Sequence, residues 1–230
     1  MIEIRDLIKK FNNHYVFNNL NLDIESDKIT VILGKSGCGK TTLLRLISNL
    51  EKYDSGSINT NNLKFSYVFQ EPRLFPWLTV FENIQAITNL PSDEIYRMIR
   101  MVDLEKFSNS YPDELSGGMK SRVSLARAFA YKPNFLLMDE PFSNLDDFTR
   151  VKMQKELLKL YNKENVGILF VTHNIDEALT IADKIIVLKE GKIYSSYNIN
   201  SKKRDLLDFE FTTLKRKIRD DIWRIQWKRF

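Results

Sequence analysis

Ile29-Thr-Val-Ile-Leu33, followed at once by Gly34-Lys35-Ser36-Gly37-Cys38-Gly39-Lys40-Thr41-Thr42, is the stretch that decides the fold. Its first five residues are apolar or β-branched throughout, as in a parallel strand buried on both faces. Three glycines then let the backbone wrap an anion, with successive N–H groups and a helix N-terminus facing it. Lys40 is placed to reach β- and γ-phosphates, and the Thr41 hydroxyl to ligate Mg²⁺. Leu43, Leu44, Ile47 and Leu50 recur at helical spacing, which supplies the helix that such a loop opens. Strand, loop and helix together imply a nucleoside triphosphate held on an α/β core.

Outward from this loop, residues 1–33 read as short strands: Ile2/Ile4, the alternating Leu20–Ile24, then the buried strand. They make an N-terminal antiparallel β segment. Asp54-Ser-Gly-Ser57 reads as a turn and Phe65–Phe69 as a strand. A mainly helical stretch is expected from Thr79 to Met101, interrupted at Pro91, with Ser92 as an N-cap. Met119–Tyr131 and 147–163 read as helices, with another near Asp176–Ile181. Phe135–Met138, Ile168–Val171 and Ile185–Leu188 read as strands. Strands alternating with helices predict an α/β fold with a mostly parallel sheet. The tract from Val80 to Leu115 lacks a clear strand, which marks a helical subdomain at about 80–130.

The 230 residues are 43% hydrophobic and 28% charged, the range of a soluble globular protein. No apolar run approaches the roughly 20 residues that span a bilayer. Met1-Ile-Glu-Ile-Arg-Asp lacks the pattern of a signal peptide. The single cysteine, Cys38, fits a reducing compartment, so a cytoplasmic chain is expected. It stands near a helix N-terminus that lowers a thiol pKa, or else it is simply a small residue tolerated in the loop. The net charge of +5 belongs to residues 201–230, where ten Lys/Arg face five Asp/Glu. That balance is a tail property and makes no case for nucleic acid.

Phe135-Leu-Leu-Met-Asp139-Glu140 buries four apolar residues and delivers carboxylates at the strand's C-terminal end, where open α/β sheets place ligands. Asp139 is placed to hold Mg²⁺, and Glu140 to polarise a water against the γ-phosphate.

Leu115-Ser116-Gly117-Gly118-Met119 is the most specific motif in the chain, and with it the sequence resembles the ATP-binding subunits of ABC transporters. The resemblance runs from about residue 2 to 192. It implies a P-loop NTPase core of the ABC ATPase type over residues 1–200, followed by a basic helical tail at 201–230. It implies that Gly34, Lys35, Ser36, Gly37, Cys38, Gly39, Lys40, Thr41 and Thr42 hold ATP. Phe11, with Val16 beside it, takes the place of the aromatic that stacks on adenine; an aromatic at this distance is otherwise core. Gln70 takes the Q-loop position, contacting Mg²⁺ and the attacking water with Thr41 and Asp139. Ser143-Asn-Leu-Asp146 matches the D-loop and His173 the switch histidine. Ser116, Gly117 and Gly118 precede a helix and form a second anion site. The family closes it on the ATP of a second ATPase subunit, a second copy of the chain or a paralogous one. Asp27, Lys120-Ser121 and Asn144 depart from common residues without touching a phosphate contact.

Glu71-Pro-Arg-Leu-Phe-Pro76-Trp77-Leu78-Thr-Val80, then Phe81-Glu-Asn83, resembles importers of nitrate, sulfonate, taurine and similar solutes. It implies import of a small organic or inorganic anion or related solute. Residues 71–83 would receive a helix of a transmembrane permease, with Pro76, Trp77, Leu78 and Phe81 as anchors; Trp77 is otherwise core. An external solute-binding protein and a peripheral place on the cytoplasmic face of the membrane follow from the same resemblance. An exporter-type or lipoprotein-releasing ATPase shares every catalytic residue. A soluble ATPase acting on nucleic acid or ribosomes expects two cassettes or a long coiled-coil insertion. In the tail, Leu214, Ile218, Ile222 and Ile225 form a stripe, with Trp223, Trp227 and Phe230 close by, among basic residues. Such a helix packs on its own domain or lies on a membrane or permease surface.

Overall fold

A computed structural model describes residues 1–164, 166–199 and 209–223. The chain divides into two compact units, Met1–Asn62 with Gly167–Phe230, and Leu63–Val166.

In the first unit β1 (Ile2–Phe11) pairs antiparallel with β2 (His14–Ile24) and β4 (Ser55–Asn59). Alternation buries Ile2, Ile4, Leu7, Leu20, Leu22 and Ile24. The expected turn at 54–57 is instead the start of β4. Its glycine misled the reading: Gly56 has φ +95°, and a Cβ there would lie 2.5 Å from the Asp6 carbonyl oxygen. Gly56 therefore serves a β-bulge, where the β1 register slips between Arg5 and Ile8.

The other sheet of this unit runs β7 (Gly167–Thr172), β3 (Ile29–Leu33), β8 (Lys184–Lys189), β9 (Lys192–Asn198). β7 and β8 flank β3 in parallel, and β9 returns antiparallel. All five residues of β3 are buried, which explains why four are apolar and the fifth, Thr30, is β-branched. Truncating any large one to Ala is worth about 2–5 kcal/mol. α1 (Lys40–Ile47) follows the glycine loop, and α6 (Ile175–Ile181) joins β7 to β8.

α7 (Phe209–Trp223) buries Phe211, Ile218 and Ile222 within this unit. In the described part of the stripe, Ile218 and Ile222 dock on their own domain and Leu214 is half-buried. Ile225, Trp227 and Phe230 lie outside the described residues.

The second unit pairs β5 (Phe65–Val68) in parallel with β6 (Phe135–Asp139). Between them come α2 (Val80–Gln85), α3 (Ser92–Met101), two short 3₁₀ turns and α4 (Gly117–Ala130). α5 (Asp147–Glu164) follows β6. Pro91, extended at ψ 157°, takes the N-cap position of α3, and Ser92 is the first helical residue. The expected cap is thus displaced by one.

Candidate functional site

The glycine loop is held by contacts that require its residue types. A Cβ on Gly34 would meet the Leu188 carbonyl oxygen at 2.4 Å and Cys38 Sγ at 2.5 Å. Gly39 has φ +108°, a conformation L side chains rarely adopt. Lys40 is buried, and its ammonium donates to the carbonyls of Gly34 (2.9 Å) and Lys35 (3.0 Å). Thr41 and Thr42 are half-buried in the first turn of α1. No side chain caps α1 and no acidic residue occupies its first turn. The positive end of α1 therefore carries no acidic side chain of its own, as suits an anion-binding helix N-terminus.

A cavity of about 370 Å³ opens beside the loop, with Val16, Lys35, Ser36, Gly37 and Cys38 on its walls. His14 and Tyr15, which the sequence reading passed over, also line it. Phe11 is not on that wall; it stands 46% exposed at the end of the same hairpin, with the Lys9 ammonium 4.5 Å from its ring centre. Phe11 is therefore not core.

Burial pushes the Cys38 thiol pKa up, against the smaller opposing pull of Lys40. The helix N-terminus does not activate it. At pH 8 iodoacetamide should alkylate Cys38 more slowly than free cysteine, with the rate climbing as pH rises further. Faster alkylation than free cysteine would contradict this.

At the end of β6, Asp139 is buried, with the Tyr67 hydroxyl 3.5 Å from its Oδ2. Glu140 then leaves the strand at φ +45°, and its carbonyl accepts from the Ser143 N–H (3.2 Å) and Oγ (2.9 Å). A glutamate held in the left-handed region costs of order 1–3 kcal/mol and is found where geometry serves function. Gln70 is exposed just beyond β5. Among the described residues no cluster of three His, Cys, Asp or Glu stands ready for a metal. Thr41, Gln70 and Asp139 each offer an oxygen, the donor type that Mg²⁺ takes.

Ser116 is the N-cap of α4, its Oγ accepting from Met119 N–H at 3.3 Å, and Gly117 and Gly118 begin the helix. A Cβ on Gly117 would meet nothing within 4 Å, whereas one on Gly118 would lie 3.1 Å from the Asn144 carbonyl oxygen. Nothing among the described residues demands glycine at 117. α1 and α4 alone, among the described helices, lack an acidic first turn. Asp146, by contrast, caps α5: its oxygens accept from Thr149 N–H (2.9 Å) and Oγ1 (2.7 Å), which hold its pKa below the usual carboxylate value.

His173 is exposed just past β7, between two fixed neighbours. Thr172 Oγ1 donates to the buried Glu177 Oε2 (2.6 Å) and accepts from Asn174 N–H (3.0 Å). Asn174 Oδ1 caps α6 by accepting from Asp176 and Glu177 N–H. Thr172, Asn174 and Glu177 thus set the loop that presents His173. The sequence reading gave them no role; an Asn before a helix was the available signal.

Residues 75–83 are stapled by Asn83, which is fully buried. Its amide accepts from Phe75 N–H (2.8 Å) and donates to the carbonyls of Phe75 (3.1 Å) and Leu78 (2.8 Å). Thr79 and Glu82 form a capping box on α2. Trp77 is left 69% exposed, against Phe75 at 5.7 Å between ring centres. Trp77 is not core.

A profile of the ABC transporter family matches residues 17–143. "Aliphatic sulfonates import ATP-binding protein SsuB 2" of Pseudomonas syringae pv. tomato is 43% identical over 189 residues, 81% of this chain and 82% of that protein. "Sulfate/thiosulfate import ATP-binding protein CysA" of the same organism is 38% identical over 84% of this chain and 65% of its own length. A solved structure, the dimeric post-hydrolysis state of the ATP-binding cassette MJ0796 bound to ADP and Pi, superposes with a TM-score of 0.79. It shares 30% identity and covers 87% of this chain and 99% of that one. The motifs, the α/β fold and these matches agree: the chain belongs to the ABC transporter family, as an ATP-binding ATPase domain.

Proposed function

We propose that this chain powers solute import as the ATP-hydrolysing subunit of a membrane ABC transporter, on the cytoplasmic face. Lys40 and the N-terminus of α1 bind the phosphates. Thr41, Gln70 and Asp139 hold Mg²⁺, which when bound neutralises charge on the β- and γ-phosphates. Glu140 draws the proton of the attacking water, and His173 bonds the γ-phosphate and keeps that water in line. Ser116, Gly117 and Gly118 close on the ATP of a second copy. The side chain that Gly117 has room for, yet lacks, supports a role facing outward, toward a ligand rather than the core.

Import rests on one observation above all: Trp77, large and apolar, is held in the open by a buried amide staple. Exposed tryptophan on a stiff segment suits an anchor for a partner helix. The curated relatives named above are import subunits for sulfur-containing anions, which supports a small anionic solute. A solute-binding protein outside the membrane would complete the system. No described helix is long and apolar enough to cross a membrane, so the transport path would lie in partner subunits. The tagged chain should co-purify from membranes with a polytopic permease. Trp77→Ala should bind ATP normally but lose about tenfold or more of that permease. Equal recovery by the variant, or ribosomes in place of a permease, would contradict the reading.

A further inference from the structure

The last described turn of α7 lies against the phosphate loop. The Lys35 ammonium sits 4.5 Å from the centre of the Trp223 ring, and Ile222, the residue before, lines the cavity beside Ser36 and Gly37. The helix is fixed from two further sides. Asp221 accepts from Ser195 Oγ at 2.6 Å and from the Tyr197 hydroxyl, both on β9. Lys215 pairs at 2.5 Å with Asp176, in the first turn of the helix that follows His173. Trp223 is thus not a loose end. It is the last described residue of an anchored helix and, though 61% exposed, lies against Lys35, the cation that precedes Ser36 in the loop.

Resting on the ATP-site reading above, we propose that Trp223 is a positioning residue of that site: it holds the Lys35 ammonium, and triphosphate competes with its ring for that cation. ATP then draws Lys35 off the indole, and α7 registers whether the loop is filled. Linkage fixes the sign. A contact present only in the empty site opposes binding, so removing it favours ATP by the same factor. Lys35 and Trp223 are both exposed, and an exposed cation–π contact is weak, which sets the effect at about two- to five-fold.

The test measures ATP affinity of the full chain by equilibrium dialysis. Trp223→Leu, which keeps apolar bulk on α7 but removes the ring, should bind ATP about two- to five-fold tighter. Trp223→Phe, which keeps a ring face, should stay close to the parent. In a Lys35→Ala background the Trp223→Leu change should have no effect. A second readout uses the chain with Trp77→Phe and Trp227→Phe, which leaves Trp223 as sole tryptophan: its emission should change saturably with ATP, and that change should vanish on adding Lys35→Ala. Unchanged or weaker binding by Trp223→Leu, or an effect that persists without Lys35, would overturn the proposal while leaving the ATPase reading intact. Failure of the parent chain to bind ATP would overturn both.

Discussion

Glu140→Gln should lower the turnover of ATP by about 10²–10⁴-fold, the usual contribution of a positioned general base, while ATP affinity stays within a few-fold of the parent. The separation of the two effects follows from geometry. The turn that carries Glu140 is held through its main chain: φ +45°, with the carbonyl engaged by the N–H and hydroxyl of Ser143. An amide of the same shape leaves those bonds intact, so the variant should fold and bind. What is lost is the ability to take a proton from water. Phosphate release under saturating ATP, alongside nucleotide affinity, checks both halves. Turnover at the parental rate would assign the base elsewhere.

Lys40→Ala should act on the other quantity. The ammonium is buried and donates to the carbonyls of Gly34 and Lys35, poised at the loop rather than extended into solvent. Its exchange of those carbonyls for phosphate oxygens would form charged hydrogen bonds, each worth about 1.5–3 kcal/mol. Two such contacts correspond to a rise in Kd for ATP of about 10²-fold or more, at 1.4 kcal/mol per factor of ten. Equilibrium dialysis with ATP measures it directly. Affinity within threefold of the parent would mean that the loop binds by its backbone alone.

What the sequence revealed and what it hid have physical causes. β3, β6 and β7 are buried throughout, so their mostly apolar and β-branched runs are legible without context. Phosphate-loop chemistry is local, because Gly34 through Thr41 act within one turn of backbone. β4 was hidden because Gly56, needed for a bulge, looks like a turn residue. β9 alternates weakly and is largely exposed, leaving little hydrophobic signal. Side-chain work between residues far apart in sequence is the least legible of all. Asn83 reads as one more polar residue until its amide is seen to staple residues 75–79. Glu177 reads as a helix-surface acid until Thr172 is found donating to it in the core. Cys38 allows two readings from sequence, a thiol activated by a helix N-terminus or a small residue tolerated in the loop, and the burial that raises its pKa favours the second.

On the proposed function this chain supplies half of each ATP site, its loop serving one nucleotide and its Ser116–Gly118 turn the partner's. Sedimentation of Glu140→Gln, with and without ATP and Mg²⁺, tests that most directly. The account predicts a particle near the 27.1 kDa chain mass without nucleotide and twice that mass with ATP, reverting with ADP. A monomer at every ATP concentration, in a variant shown to bind ATP, would contradict it.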